Sequence, residues 1–183
     1  LEFHISNGTF QISRPLRFRR ANIGLKGNGI GHTILLCASS PCVNMTRADV
    51  PSFLSGVTFR KDANFSVTGL LAVSLSSMLS VRDCAFENFD GALLLYDVQT
   101  KVHLMRVEFR ENIAPIGAAI SIDSCANVIA TVCLFQQNIA HTKGGAISVA
   151  SSKSSSKMII EDSTFKVNSA EIGGAIFADR SSI

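Results

Sequence analysis

Asp83, Arg106 and Glu108 are the residues of this 183-residue chain whose types and spacing come nearest to catalysis. Carboxylates gathered on adjacent turns can hold Ca2+, and an arginine beside them can pair with a carboxylate of an acidic polysaccharide. Asp83 and Arg106 occupy equivalent positions in neighbouring repeats, with Glu108 two residues on. Opposite charges in such register are more often an ordinary cross-strand pair, and these two read as one. Glycoside hydrolysis would call for paired carboxylates. The chain has no Asp-Asp, and His4, His32, His103 and His141 are scattered. Glu161 and Asp162 are adjacent, so their side chains diverge on a strand. No residue is assigned a catalytic, metal-binding or cofactor-binding role.

Binding chemistry is concentrated upstream. Arg14, Arg17, Arg19, Arg20 and Lys26 form the densest basic stretch, a candidate site for the sulfate, carboxylate or phosphate groups of an acidic glycan. Leu16 and Phe18 alternate with Arg17 and Arg19, which sends the apolar pair inward and the cations outward. A nucleic-acid site would add exposed rings for base stacking. Phe18 faces inward, so nucleic acid is not an expected partner.

Cys37 and Cys42 flank Ala-Ser-Ser-Pro, a loop short enough to be stapled as a candidate disulfide. Cys84 and Cys133 share an inward position two repeats apart. That separation, about 9.6 Å, exceeds disulfide reach, and both read as buried hydrophobes. Cys125 could bridge to Cys133 only if the intervening strand folds back at a corner. No Cys-x-x-Cys pair with histidine partners is present, which argues against zinc. Asn7, Asn44 and Asn64 head Asn-x-Ser/Thr sequons and are candidate N-glycosylation sites of a secreted chain.

The elements that must position these groups are written in a repeat. Phe59, Phe86, Phe109, Phe135 and Phe165 are spaced by 27, 23, 26 and 30 residues. Three of them begin the same phrase. Phe109 leads to Asn112 and Gly117-Ala-Ala-Ile120, Phe135 to Asn138 and Gly144-Gly-Ala-Ile147, and Phe165 to Asn168 and Gly173-Gly-Ala-Ile176. A period of this length marks a stacked-repeat architecture.

Aligned on the Phe, the positions two, five and seven residues earlier are small or apolar, and those between are mostly polar. Alternation of that kind is a half-buried strand, and the slip in its phase marks a corner. Each coil then holds two or three short strands, stacked in parallel so that inward columns fill the interior. The asparagine is placed to bond the turn's peptide groups and its copy in the next coil. The outward column after the Phe reads Arg60, Glu87, Arg110, Gln136 and Lys166, which predicts a ladder of alternating charge. The Ser/Lys run 151–156 reads as a surface bulge.

Composition agrees with covered coils. Hydrophobic residues make up 46% and charged residues only 17%, a low charge for a globular surface. With no Trp and one Tyr, Phe serves as filler and exposed sugar-stacking rings are scarce. The net charge of +3 divides into +6 over residues 1–61 (8 Lys/Arg, 2 Asp/Glu) and −3 over 62–183 (9 and 12). Apolar runs are too short to cross a bilayer, so this segment is not expected to insert into a membrane. The lack of an initiator Met, and an end just after a Gly-Gly-Ala-Ile phrase, suggest a piece of a longer protein.

Gly8-Thr-Phe10, Pro15-Leu16 and the stretch from Gly27 to Leu35 resemble the opening coils of right-handed parallel β-helices of the pectin-lyase-like kind. The Phe-x-x-Asn and Gly-Gly-Ala-Ile phrases, over residues 86–183, resemble repeats of the polymorphic outer-membrane proteins, autotransported adhesins of chlamydiae. The Phe86 repeat departs from the pattern, with Phe89 in place of Asn, and the Phe59 repeat departs further. The resemblance implies an all-β, right-handed parallel β-helix of about seven coils. Residues 1–183 would form one domain, with irregular opening coils at 1–50 and five Phe-centred repeats at 51–183. The function expected is that of a non-enzymatic extracellular or cell-surface scaffold, structural or adhesive, joined end to end with copies of itself or other surface proteins. The alternatives are a polysaccharide lyase or glycoside hydrolase of the pectin-lyase-like fold, and a binding module for acidic polysaccharide. Fold alone does not choose between them.

Overall fold

The computed structural model describes residues 1–18, 22–46, 51–73, 78–96, 101–123, 127–151 and 156–180. It is a parallel β-solenoid with three sheets of seven strands each. The first sheet stacks Glu2–His4, Gly24–Lys26, Ser52–Ser55, Met78–Arg82, Lys101–Met105, Asn127–Thr131 and Lys157–Glu161. The second stacks Gly8–Ile12, Thr33–Cys37, Thr58–Lys61, Ala85–Glu87, Glu108–Arg110, Leu134–Gln136 and Thr164–Lys166. The third stacks Leu16–Phe18, Val43–Thr46, Leu70–Val73, Leu93–Tyr96, Ile120–Ile122, Ile147–Ser151 and Ile176–Arg180. A small extra sheet pairs Ile113–Ile116 with Ile139–Lys143.

Strand alternation sets what is inside. On Met78–Arg82, Leu79 and Val81 are buried, while Met78 and Arg82 are exposed. The repeated Phe falls in the second sheet, in direct register from coil to coil. Its rings stack with centroids 5.1, 5.5, 5.2 and 4.6 Å apart and planes within 12°. This offset packing adds about 0.5–1.5 kcal/mol per pair beyond the area each ring buries. The column also extends upstream, where Phe59 pairs with Leu35 and Leu35 with Phe10. The opening coils therefore follow the same ladder, with a leucine at one rung.

The corners are made by left-handed residues. Gly56, Asp83, Arg106, Val132 and Asp162 all have φ between 48° and 66° and join the first sheet to the second. These five residues stand where the sequence pattern slips in phase, three positions before each Phe, and they form the corner itself rather than an outward strand position. A second set, Asn88, Glu111, Gln137 and Val167, has φ of 53–63° just after the second sheet. Before the third sheet come Gly117, Gly144 and Gly173, at φ of 53–65°. A Cβ on Gly144 would strike the Ile147 carbonyl, so that corner requires glycine for space as well as φ.

The asparagines close the second corner from inside. Asn112 and Asn138 are fully buried. Nδ2 of Asn112 donates to Oδ1 of Asn138 at 2.9 Å, and Nδ2 of Asn138 to Oδ1 of Asn168 at 2.9 Å. The same amides donate to the carbonyls of Phe86, Phe109 and Phe135. In the coil that carries Phe89 instead, its backbone N–H donates to Oδ1 of Asn112 at 3.0 Å and its ring fills the space.

Two outward assignments differ from the sequence pattern. The position before the Phe is buried at Thr58 and Ala85, because neighbouring turns cover it; the Gly31 N–H donates to Oγ1 of Thr58. Residues 152–155 of the Ser/Lys run lie outside the described residues.

Candidate functional site

The Asp83–Arg106 pair is a two-pronged ion bridge across one ladder step. Nε of Arg106 donates to Oδ1 of Asp83 at 2.6 Å, and a second guanidinium N–H donates to Oδ2 at 2.9 Å. The hydrogen bonds from Arg106 hold the Asp83 carboxyl below the usual range, and the same bonds raise the guanidinium's pKa. A guanidinium so engaged is further from losing a proton, and its geometry is that of a structural clamp. Glu108 takes no part, because it pairs with Arg110 on its own strand.

The charge column after the Phe is shorter than its spacing predicts. Arg60 binds Glu87 at 2.7 Å, one rung apart. The described ion pair of Arg110 goes to Glu108 instead of to Glu87, its ladder neighbour, so the alternation yields a single inter-coil rung. A further inter-coil pair, Lys61–Asp90 at 2.8 Å, lies nearby. At Asp90 burial pulls the carboxyl pKa up, but hydrogen bonds from Lys61, Ser66 and the Val67 N–H outweigh it and leave it lowered.

Of the upstream basic stretch, the described residues Arg14, Arg17 and Lys26 do not share one face. Arg14 is exposed in the turn between Gly8–Ile12 and Leu16–Phe18, and Arg17 faces outward from the third sheet, beside Asn44. Lys26 belongs to the first sheet. Chain neighbours in sequence are thus distributed over different faces, because each coil turns three times within one repeat. Arg19 and Arg20 lie outside the described residues.

Lys26 has other company. Together with Phe53, Ser55, Ser80 and Arg82 it lines a groove of about 580 Å³ on the outer face of the first sheet. None of these four companions stands out in the sequence. Only alternation about the buried Leu54 would have sent Phe53 outward.

Cys37 and Cys42 are joined by a disulfide, with Cα atoms 5.5 Å apart. Cys84 and Cys133 are free, buried thiols, and burial pushes the Cys84 thiol up to about 12 and that of Cys133 upward as well. Cys125 lies outside the described residues. Among the sequons, Asn7 and Asn64 are exposed in turns. Asn44 is half-buried on the strand Val43–Thr46, with Oδ1 shielded from solvent and unpaired among the described residues. Its amide is therefore the least accessible of the three to a modifying enzyme. Among the described residues no group of three or more His, Cys, Asp or Glu side chains is placed to hold a metal ion.

Residues 132–150 match the model of the Chlamydia polymorphic membrane protein repeat. This segment is one structural phrase: the left-handed Val132, the strand with Phe135, the ladder residue Asn138, and the Gly144 corner leading into Ile147. No curated protein and no solved structure matches the chain.

Proposed function

We propose that this chain is a non-enzymatic β-solenoid module of a cell-surface protein, with a structural or adhesive role. The observation that carries the reading is the repeat itself: a segment matching a surface-protein repeat is also the unit that builds the Phe stack and the Asn ladder. The residues best spaced for lyase chemistry add support, since Asp83 and Arg106 are spent on each other. Coil-on-coil joining to further surface proteins or to copies of the chain belongs to the same reading, because a parallel ladder offers its edge to another strand.

Two measurements test it. Protease shaving of intact producing cells should remove the protein. Incubation of the purified chain with polygalacturonate, with and without Ca2+, should give no unsaturated product; product that disappears in Asp83→Ala would establish a lyase instead. For the joining, sedimentation of the full-length protein that shows only monomer at high concentration would refute it.

A further inference from the structure

The outer face of the first sheet carries a feature that the scaffold does not need. Strand Ser52–Ser55 buries Ser52 and Leu54 and turns Phe53 and Ser55 outward. A phenylalanine on a solvated face costs exposure unless something covers it. Here the ladder neighbour of Phe53 is Gly24. A Cβ on Gly24 would fall on Cε1 and Cζ of the Phe53 ring, so the missing side chain is what lets the ring lie down across the sheet. One ring face rests on the backbone and the other is turned to the groove.

The next outward position on that strand is Ser55, about 6.8 Å along at 3.4 Å per residue. Its ladder neighbours are Lys26 on one side and Arg82 on the other. The two cations are two ladder steps apart, about 9.6 Å along the stack, with a small hydroxyl between them. Among the described residues neither has an ion-pair partner. Arg82 donates from Nε to Ser80 Oγ at 3.2 Å; the groove's one carboxylate, Glu2, stands at its far end beside Gly24, on the Phe53 column and away from the Lys26–Ser55–Arg82 column, and contacts His4 Nε2 at 2.9 Å. Small residues at 55 and 80 keep the floor low, which makes the groove.

We propose that this groove binds an acidic polysaccharide, with a sugar ring on Phe53 and a carboxylate seated over Ser55 between Lys26 and Arg82. The inference rests on the adhesive form of the function proposed above and names its ligand class. An apolar ring face beside hydroxyls fits the C–H face and hydroxyls of a pyranose, and the paired cations fit a uronate carboxylate. A nucleic-acid strand fits less well. It would want successive stacking rings, whereas the outward column continues from Phe53 to Ser80 and His103.

The test is calorimetric titration of the chain with an alginate hexamer, dextran and an oligo-dT strand. Alginate is expected to bind and dextran not to. Phe53→Ser and Arg82→Ala should each weaken alginate binding about tenfold, equivalent to roughly 1.4 kcal/mol. Gly24→Ala should do the same by lifting the ring, although every groove side chain is retained. Arg17→Ala, on another sheet, should leave affinity unchanged. Phe53, Arg82 and Arg17 point outward and Gly24 is buried beneath the Phe53 ring, so each variant is first shown to keep the parent's circular dichroism melt, and Phe53→Ser carries the ring's part of the test if Gly24→Ala does not. Equal binding of dextran, tighter binding of oligo-dT, or no binding of alginate would each overturn the proposal. Protease shaving reads the surface location separately, so failure of the ligand and failure of the location are distinguishable.

Discussion

Replacing Asn138 by alanine tests whether the asparagine ladder holds the coils together. Asn138 is fully buried and takes part in four side-chain hydrogen bonds. Its Nδ2 donates to Phe109 O at 3.0 Å and to Asn168 Oδ1 at 2.9 Å. Its Oδ1 accepts from Nδ2 and from the backbone N–H of Asn112, at 2.9 and 3.3 Å. In Asn138→Ala, Asn112 Nδ2 keeps the Phe86 carbonyl, and Asn168 Oδ1 keeps the backbone N–H of residue 138. The Asn112 backbone N–H keeps no described acceptor. One orphaned buried donor costs about 1–3 kcal/mol, and the other lost bonds about 0.5–1.5 kcal/mol each. Partial relaxation of the site places the total at about 3–5 kcal/mol.

With a urea m-value of about 2 kcal/mol/M, the unfolding midpoint should fall by roughly 1.5–2.5 M. Far-ultraviolet circular dichroism through a urea series reads this directly. Gln136→Ala, on the outer face of the adjacent strand, should stay within about 0.5 kcal/mol of the parent. Asn138→Asp keeps acceptor oxygens but sets a carboxylate against the Phe109 carbonyl, so it should be worse than alanine at neutral pH. Its folded-state pKa would be raised, and stability should return as pH falls. A loss under about 1 kcal/mol in Asn138→Ala would refute the ladder argument.

Val132 is a β-branched residue at φ 56° and 51% exposed, where its corner column otherwise holds Gly, Asp or Arg. Val132→Asn should relieve about 1 kcal/mol of backbone strain and raise Tm by roughly 2–4 °C; a lower Tm would show that the left-handed corner is not the source of cost. With its thiol pushed up to about 12 by burial, Cys84 should resist iodoacetamide at pH 8 in the folded chain and react once unfolded. Because the folded value is raised, its contribution to stability is full below the ordinary thiol value of 9.0 and declines as pH rises from there toward 12. Rapid labelling of folded Cys84, read by peptide mass spectrometry, would contradict this. Cys37→Ser combined with Cys42→Ser opens a short loop and should cost about 2 kcal/mol in the same urea assay; an unchanged midpoint would show the loop is held by packing alone.

The sequence makes the inside of this protein easier to read than the outside. Inward positions recur because each coil lies on its neighbour, so Phe, Asn and Gly return at one period and their columns can be aligned by eye. The register of Phe10 and Leu35 was open to the same alignment, with steps of 25 and 24 residues to Phe59, but a leucine hides the rung. Left-handed corners are harder, since Asp83, Arg106 and Val132 share a backbone conformation and no side-chain chemistry. The groove was the least legible part. Phe53 looks like another filler until Leu54 is seen to be the buried one, and its companions come from three different coils. Arg17 and Lys26 err in the opposite sense, being close in sequence but carried to different sheets.

That contrast bears on how a solenoid can recognise a ligand. If an outward column repeated one residue, every coil would offer the same contact, and a long polymer could bind at any register along the rod. The outward column through Phe53 instead reads Glu2, Gly24, Phe53, Ser80, His103, Ile129 and Ile159. The column beside it reads His4, Lys26, Ser55, Arg82, Met105, Thr131 and Glu161, ending on an anion where it is cationic at Lys26 and Arg82. Only across the three rungs of Lys26, Phe53 and Arg82 do a ring and two cations coincide. A repeating polymer meeting this face therefore finds one favourable place, and the inner columns, which repeat, hold that place rigid.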